Sequence, residues 1–310
     1  MAIQKHIALL LQFLLVALVF DVANGYPLKL GFYQKTCPRA EAIVKRTTAN
    51  YIYRAPSLAA ALLRMQFHDC FVRAEKDGIP NLSLRGFQVI DAAKTAVEAA
   101  CPGVVSCADI LSLVARDAIH QIKGPYWPVP LGRRDGRVSI ASESFTLPAP
   151  FANITQLKAQ FVSKGLSVKD LAVLSGGHTV GISHCSTIAT RLYNFTGKGD
   201  TDPSLDPRYV PQLKRICFPT DKTTLLAMDP GSSKSFDEDY YSVVLKRRGL
   251  FQSDAALLND KTTSAYVKLQ AKSRGYTFFK DFQASMVKMG QIGVLTGKAG
   301  EIRRHCALIN

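Results

Sequence analysis

Apolar residues recur every three to four positions over most of the chain and almost nowhere at every second position. That pattern predicts helices and almost no strands. The most regular run is 57–72, SLAAALLRMQFHDCFV, where Ala60, Leu63, Phe67, Cys70 and Phe71 trace one helical face behind start signals at Pro56 and Ser57. The same spacing predicts helices over 38–53, 84–100, 106–120, 168–174, 182–192, a stretch ending near 216, 238–246, 263–274 and 276–289. Ser106 with Asp109, and Ser167 with Asp170, have the spacing of capping pairs. Between these runs, 124–150 carries five prolines and three glycines and reads as loop, as do 197–207 and 218–236. The pattern gives an all-α chain without internal repeats.

Composition changes that picture at its beginning. Lys5 and His6 precede an apolar run over 7–20, interrupted only by Gln12, and Ala23-Asn24-Gly25 supplies small residues for cleavage. Residues 1–25 therefore read as a secretory signal peptide, with a mature chain over 26–310. No later run has the eighteen or so apolar residues of a membrane span. The expected product is secreted and extracellular, and the 47% hydrophobic content is ample for a large core. Secretion makes the cysteines structural by default. There are seven, without a CxxC pair, which disfavours zinc and leaves one thiol over. The net charge of +15 is scattered, with small clusters at Arg133-Arg134, Lys246-Arg247-Arg248 and Arg303-Arg304. Without a basic helix or an aromatic-interleaved basic run, nucleic acid is not expected as a partner. An acidic extracellular polysaccharide suits that charge better. Asn81, Asn153 and Asn194 open glycosylation sequons.

Two places could carry chemistry. Arg64 and His68 lie four apart on the most regular helix, on one side, beside Phe67 and Phe71. A permanent cation next to a group that titrates near neutrality can take up a proton and stabilise charge as it develops. The second place is LSGGHTVG over 174–181, where glycines on both sides of His178 allow a close backbone approach. Each has a plainer reading, a solvated helix edge for the first pair and a capping histidine for the second. A Ser/His/Asp set could be assembled from Ser175, His178 and Asp254, but no Gly-x-Ser-x-Gly elbow supports it. Two isolated histidines in an all-α secreted chain suggest a haem between helical layers, one His on the iron and the other with Arg on the open face. A ligating His commonly donates its second ring N–H to a carboxylate, and Asp254 is available.

These residues carry a resemblance. RMQFHDCFV over 64–72 and DLAVLSGGHTVG over 170–181 resemble the distal and proximal haem motifs of secretory plant (class III) peroxidases. CPGVVSCAD over 101–109, PLGRRD over 130–135 and GLFQSD over 249–254 are similar to further family segments, in the same order. The resemblance implies two intimately packed helical domains enclosing haem b, with few short strands. It makes His178 the iron ligand, Asp254 its carboxylate partner, Phe67 a guard over the haem and Pro148 the edge of the donor entrance. Arg64 and His68 become the distal pair, Asn81 the acceptor that orients His68, and Glu75 the support of Asn81. A buried Asn81 would leave its sequon unmodified. Thr179, Asp229, Ser232, Ser235 (through its carbonyl) and Asp237 match a proximal calcium site. The implied disulfides are Cys37–Cys101, Cys107–Cys306 and Cys185–Cys217.

The chain departs from the family just after the distal helix, where Arg73 joins Ala74-Glu75-Lys76-Asp77 directly and more than a dozen family positions are missing. The usual partner of Cys70 lies in that stretch, so Cys70 is expected as the free thiol. Asp69 and the Val72 carbonyl are all that remain of a distal calcium shell, too few for an ion that takes six to eight oxygens. The resemblance thus implies a monomeric secreted enzyme that reduces hydrogen peroxide and oxidises phenolic donors by single electrons. Two readings compete with it: a catalytically impaired haem or wall-binding variant lacking the distal calcium loop, and the hydrolase built on Ser175.

Overall fold

The computed structural model describes residues 27–72, 78–138 and 140–310, so the leader expected over 1–25 lies outside the described residues. Twelve α-helices appear among them: α1 (Ala40–Arg54), α2 (Leu58–Phe71), α3 (Phe87–Ala100), α4 (Cys107–Gln121), α5 (Ile154–Ser163), α6 (Val168–Ser175), α7 (Cys185–Tyr193), α8 (Val210–Ile216), α9 (Asp239–Leu245), α10 (Gln252–Ala256), α11 (Lys261–Ser273) and α12 (Phe278–Met289). The only sheet there pairs β1 (Ile182–His184) with β2 (Leu225–Ala227), antiparallel, Ser183 opposite Leu226. The all-α expectation holds.

Helices α1 to α4 pack on one another, and α4 is their centre, buried on nearly every side from Ile110 to Ile119, its polar Ser112, Arg116 and Asp117 included. Helices α6, α9, α11 and α12 form a second group, closed by an aromatic cluster of Phe236, Tyr241, Phe278 and Phe282. Buried polar groups join distant segments. The Asp109 carboxylate accepts hydrogen bonds from Tyr33 Oη (2.8 Å), the Gly132 amide (2.7 Å) and Arg133 Nη1 (2.8 Å). The Asp170 carboxylate accepts from Ser167 within α6 and from Ser285 and Lys288 on α12. Three disulfides, Cys37–Cys101, Cys107–Cys306 and Cys185–Cys217, close spans of 64, 199 and 32 residues, and Cys70 is unpaired. These are the pairs that the resemblance implied.

Several local expectations need correction. Ser57 does not cap α2 with its side chain, because its own backbone is already helical and the Ala59 amide bonds to the Pro56 carbonyl. The Ser106–Asp109 box is half formed: the Ser106 hydroxyl accepts from the Asp109 amide, while the Asp109 carboxylate is taken by Tyr33 and Arg133. The Ser167–Asp170 box is complete. Residues 182–184 are strand and not helix. Gly181, at φ +101°, breaks the chain direction, and its carbonyl accepts from the Met228 amide, which brings β2 alongside. The helices α5 and α10 were not anticipated, although Asn153 and Gln156 form a complete capping box in front of α5. The stretch 124–150 contains a 3₁₀ turn at Ala141–Thr146 and isolated bridges such as Arg134 to Leu295. The tip of 218–236 carries β2.

Candidate active site

The first half of the site sits on the last two turns of α2. Arg64 and His68 both turn toward the short segment after the undescribed residues 73–77. His68 is 7% exposed, and its Nδ1 lies 2.6 Å from Asn81 Oδ1. With that oxygen as acceptor, Nδ1 carries the proton and Nε2 has a free lone pair. Burial, then the nearby charge of Arg64, lowers the His68 pKa to about 4, against a smaller opposing effect of the Asn81 bond. The imidazole is therefore a neutral base at ordinary pH. Arg64 is locked in the same segment, donating from Nη1 to Ser83 Oγ and from Nη2 to the Pro80 carbonyl, both at 2.9 Å. Burial and the charge of Arg85 pull its pKa below the usual guanidinium value. Phe67 is half-buried, its ring 4.4 Å from that of Phe71.

The second half sits on the 3₁₀ turn Gly176–Thr179, which continues α6. His178 Nδ1 lies 2.8 Å from Asp254 Oδ1. Asp254, on α10, is 1% exposed and also accepts from Tyr240 Oη (2.9 Å) and, at Oδ2, from the Phe251 amide (2.8 Å). Burial disfavours its charge, but His178, Phe251 and Tyr240 outweigh that and hold the carboxyl below the ordinary range. The result is an imidazole with a fixed ring, an electron-rich Nε2 and a side chain that is 38% exposed. Gly176 cannot carry a side chain here, since a Cβ would come within 2.5 Å of Tyr241 Oη and 2.6 Å of the Phe278 ring. The two halves meet where Gly177 faces Leu63, to which a Cβ would approach 3.3 Å, and where Gly181 faces Ala60.

Thr179 and Ser232 both donate to Asp237 Oδ1, at 2.9 and 3.1 Å, while Asp229 stands close by. Asp229 is 2% exposed, and its Oδ2 is buried without a partner. Burial, together with the charges of Asp237 and Asp239, raises its pKa to about 6. No cluster of three or more His, Cys, Asp or Glu side chains capable of holding a metal occurs among the described residues. Asp69, on α2, is exposed, and Val72, just past its end, is buried. Glu75 lies outside the described residues. Pro148 is half-buried, between exposed Phe145 and Phe151. The Ser175 hydroxyl is spent on the Leu171 carbonyl (2.8 Å), so nothing readies it as a nucleophile for His178.

Sequence reasoning missed the groups that hold the site from behind. Ser83 and the Pro80 carbonyl clamp Arg64, and Tyr240 and the Phe251 amide brace Asp254. Tyr240 left one usable signal, an adjacent pair of tyrosines on a short helix close to the Asp237 segment.

A family model described as peroxidase matches residues 44–273. The chain is 56% identical to Peroxidase 27 of Arabidopsis thaliana, over 97% of this chain and 98% of that one. It is 55% identical to Peroxidase 56 of the same plant, over 94% and 93%. With Arabidopsis Peroxidase 1 the identity is 53% over the full length of both. That last alignment spans 327 positions against 310 residues here, so at least 17 positions of the relative have no counterpart in this chain.

Proposed function

The chain belongs to the peroxidase family, in its secretory plant branch, and from that premise we propose that it reduces hydrogen peroxide at a haem held by His178 and oxidises phenolic donors in single-electron steps. One observation carries the assignment of roles. Both histidines have Nδ1 tied to a side-chain oxygen, Asn81 for His68 and Asp254 for His178, which leaves both Nε2 atoms available. The residues fit the group. A structural histidine paired to a buried carboxylate would not leave over a third of its surface open, whereas an iron ligand needs that open face.

Haem supplies the redox chemistry when bound, and the protein supplies position, charge and proton handling. His178 Nε2 is the ligand, and Asp254 fixes its ring and increases its donor strength. His68 Nε2 would accept a proton from hydrogen peroxide and could return it to the departing oxygen, a role that needs the neutral imidazole its burial maintains. Arg64, held by Ser83 and Pro80, places a fixed positive charge beside that oxygen. Asn81 holds the tautomer, Phe67 screens the haem, and Pro148 edges the donor entrance.

Family membership typically brings calcium as well. The buried Asp229 carboxylate, whose Oδ2 has no partner, fits a cation, and Thr179, Asp229, Ser232, Ser235 and Asp237 are the residues that would hold it. Asp69 and the Val72 carbonyl alone are too few oxygens for a second ion, which argues against a distal calcium here. We assign residues 1–25 to a leader and the mature chain to the extracellular wall, as a monomer, with the basic surface meeting acidic polysaccharide.

The test is secreted protein supplied with haem and calcium. A Soret band and fast reaction with peroxide in stopped flow support the assignment. A haem-loaded protein that reacts slowly points to the impaired variant instead, with the end of α2 out of position.

A further inference from the structure

The proximal histidine is the first ring of a line of aromatic side chains that the peroxide chemistry above does not use. The His178 ring stands edge-on to Tyr240, with centroids 6.0 Å apart. Tyr240 and Tyr241, adjacent on α9, are 5.2 Å apart, and Tyr241 is 5.6 Å from Tyr266 on α11. All three tyrosines are buried. Beyond Tyr266 the line reaches the surface: its hydroxyl donates to Asp281 Oδ2 (3.0 Å), and Asp281 pairs with Lys169 (2.8 Å), whose side chain is 53% exposed.

The three phenols differ in what receives their protons. Tyr240 donates to the Asp254 carboxylate and Tyr266 to the Asp281 carboxylate. Tyr241 instead donates to backbone carbonyls, Ala172 at 3.1 Å and Val173 at 3.4 Å. Burial raises the pKa of each phenol, so each is protonated and must shed its proton when it loses an electron. A carboxylate at hydrogen-bond distance can take that proton, whereas an amide carbonyl is too weak a base. Tyr240 and Tyr266 can thus act as stations, with the Tyr241 ring as the bridge between them.

We propose that Tyr240, Tyr241 and Tyr266 form an escape route that carries oxidising equivalents from the haem site to the surface beside Lys169 and Asp281, where a small one-electron reductant discharges them. The route rests on the peroxidase reading, because peroxide reduction supplies the oxidant. An electron leaves Tyr240 for the haem site while its phenolic proton moves to Asp254 Oδ1. Tyr266 then gives an electron through the Tyr241 ring. Asp254 returns the proton to Tyr240, and the Tyr266 proton passes to Asp281 Oδ2. A phenol or enediol reductant finally gives one electron to Tyr266, Asp281 hands the proton back, and the reductant sheds its own proton to solvent and leaves as its radical. The route spares His178 and its surroundings when peroxide arrives without a donor.

The experiment treats haem-loaded protein with peroxide alone in the presence of a nitroso spin trap and maps the adducts by peptide mass spectrometry. Wild type should carry an adduct on Tyr266. Tyr266→Phe, which keeps the packed ring, should lose that adduct, accumulate one on Tyr240 and inactivate several-fold faster, with guaiacol turnover unchanged. Asp281→Asn, which keeps the Tyr266 ring but removes its proton acceptor, should shift the adduct from Tyr266 to Tyr240. Normal guaiacol turnover with no adduct on either tyrosine overturns the route and leaves the peroxidase reading standing. Absence of a Soret band or of peroxide turnover overturns both.

Discussion

At the residue scale, the protein sets two imidazoles to different work by choosing what each Nδ1 meets. His68 meets a neutral amide oxygen and stays a weak, uncharged base, whereas His178 meets a carboxylate and becomes a strong donor. The sign for His68 is plain. Its pKa in the fold, about 4, lies below the ordinary histidine value, so reaction with peroxide should be flat from neutral pH to about 5 and fall as pH drops through 4. Over the same interval, from about 6.5 down to 4, the unfolded chain gains a proton that the fold does not, and stability declines. Stopped-flow rates and denaturation midpoints across this range check both statements. His68→Leu should cost ~10²–10⁴-fold in the peroxide reaction, and Asn81→Val less, because the base remains but loses its orientation. Cys70 is a different case. Burial, helped by the charge of Asp69, pushes its thiol pKa up, so a thiol reagent should count one cysteine after unfolding and react slowly before it.

At the scale of elements, the position of His178 depends on α6 and on what crosses behind it. Ser167 and Asp170 cap the helix start, and Asp170 also bonds Ser285 and Lys288, which fixes α6 against α12. Ser167→Ala should cost about 1 kcal/mol. Burial opposes ionisation of Asp170, but the bonds from Ser167, Ser285 and Lys288 outweigh it and hold its carboxyl below the usual range. Its contribution is therefore present above about pH 4 and lost as pH falls through the folded value. Gly176→Ala would drive a methyl group into Tyr241 and Phe278 and should cost about 1–3 kcal/mol, read as a lower unfolding midpoint together with weakened haem retention. The capping pairs of α6 were legible in the sequence because they are local. The strand at 182–184 was not, since its partner β2 lies some forty residues away and is held alongside by contacts such as Gly181–Met228 and Cys185–Thr224.

At the scale of the whole molecule, long-range links compensate for a helical framework with many loops. The Cys107–Cys306 bridge spans 199 residues and ties the chain end to α4. A bound calcium would add to this by relieving the buried Asp229 carboxylate. Chelation with EGTA should lower the unfolding midpoint, by the equivalent of about 2.7 kcal/mol if calcium had stood at 100 times its Kd, and Asp229→Asn should abolish the difference. Glycans on secreted protein should map to Asn153 and Asn194, which are exposed, and not to Asn81, which is 3% exposed and engaged with His68. Peptide mass mapping after deglycosylation reads this directly.

The sequence alone determined the helical class, most helix positions and the two histidine motifs proposed to meet peroxide and iron, because periodicity and short motifs are properties of neighbours along the chain. It also marked Cys70 as the odd thiol, a matter of counting and family pattern. Only the tertiary structure decided that Ser83 and Pro80 clamp Arg64, that Tyr240 braces Asp254, that Asp109 abandons its cap for Tyr33 and Arg133, and that three tyrosines stand in line behind His178. Each of these joins segments far apart in the chain, and their partners are chosen by burial. A polar group removed from water must find whichever donor or acceptor the packing brings within reach, and packing is not written in any one stretch of sequence.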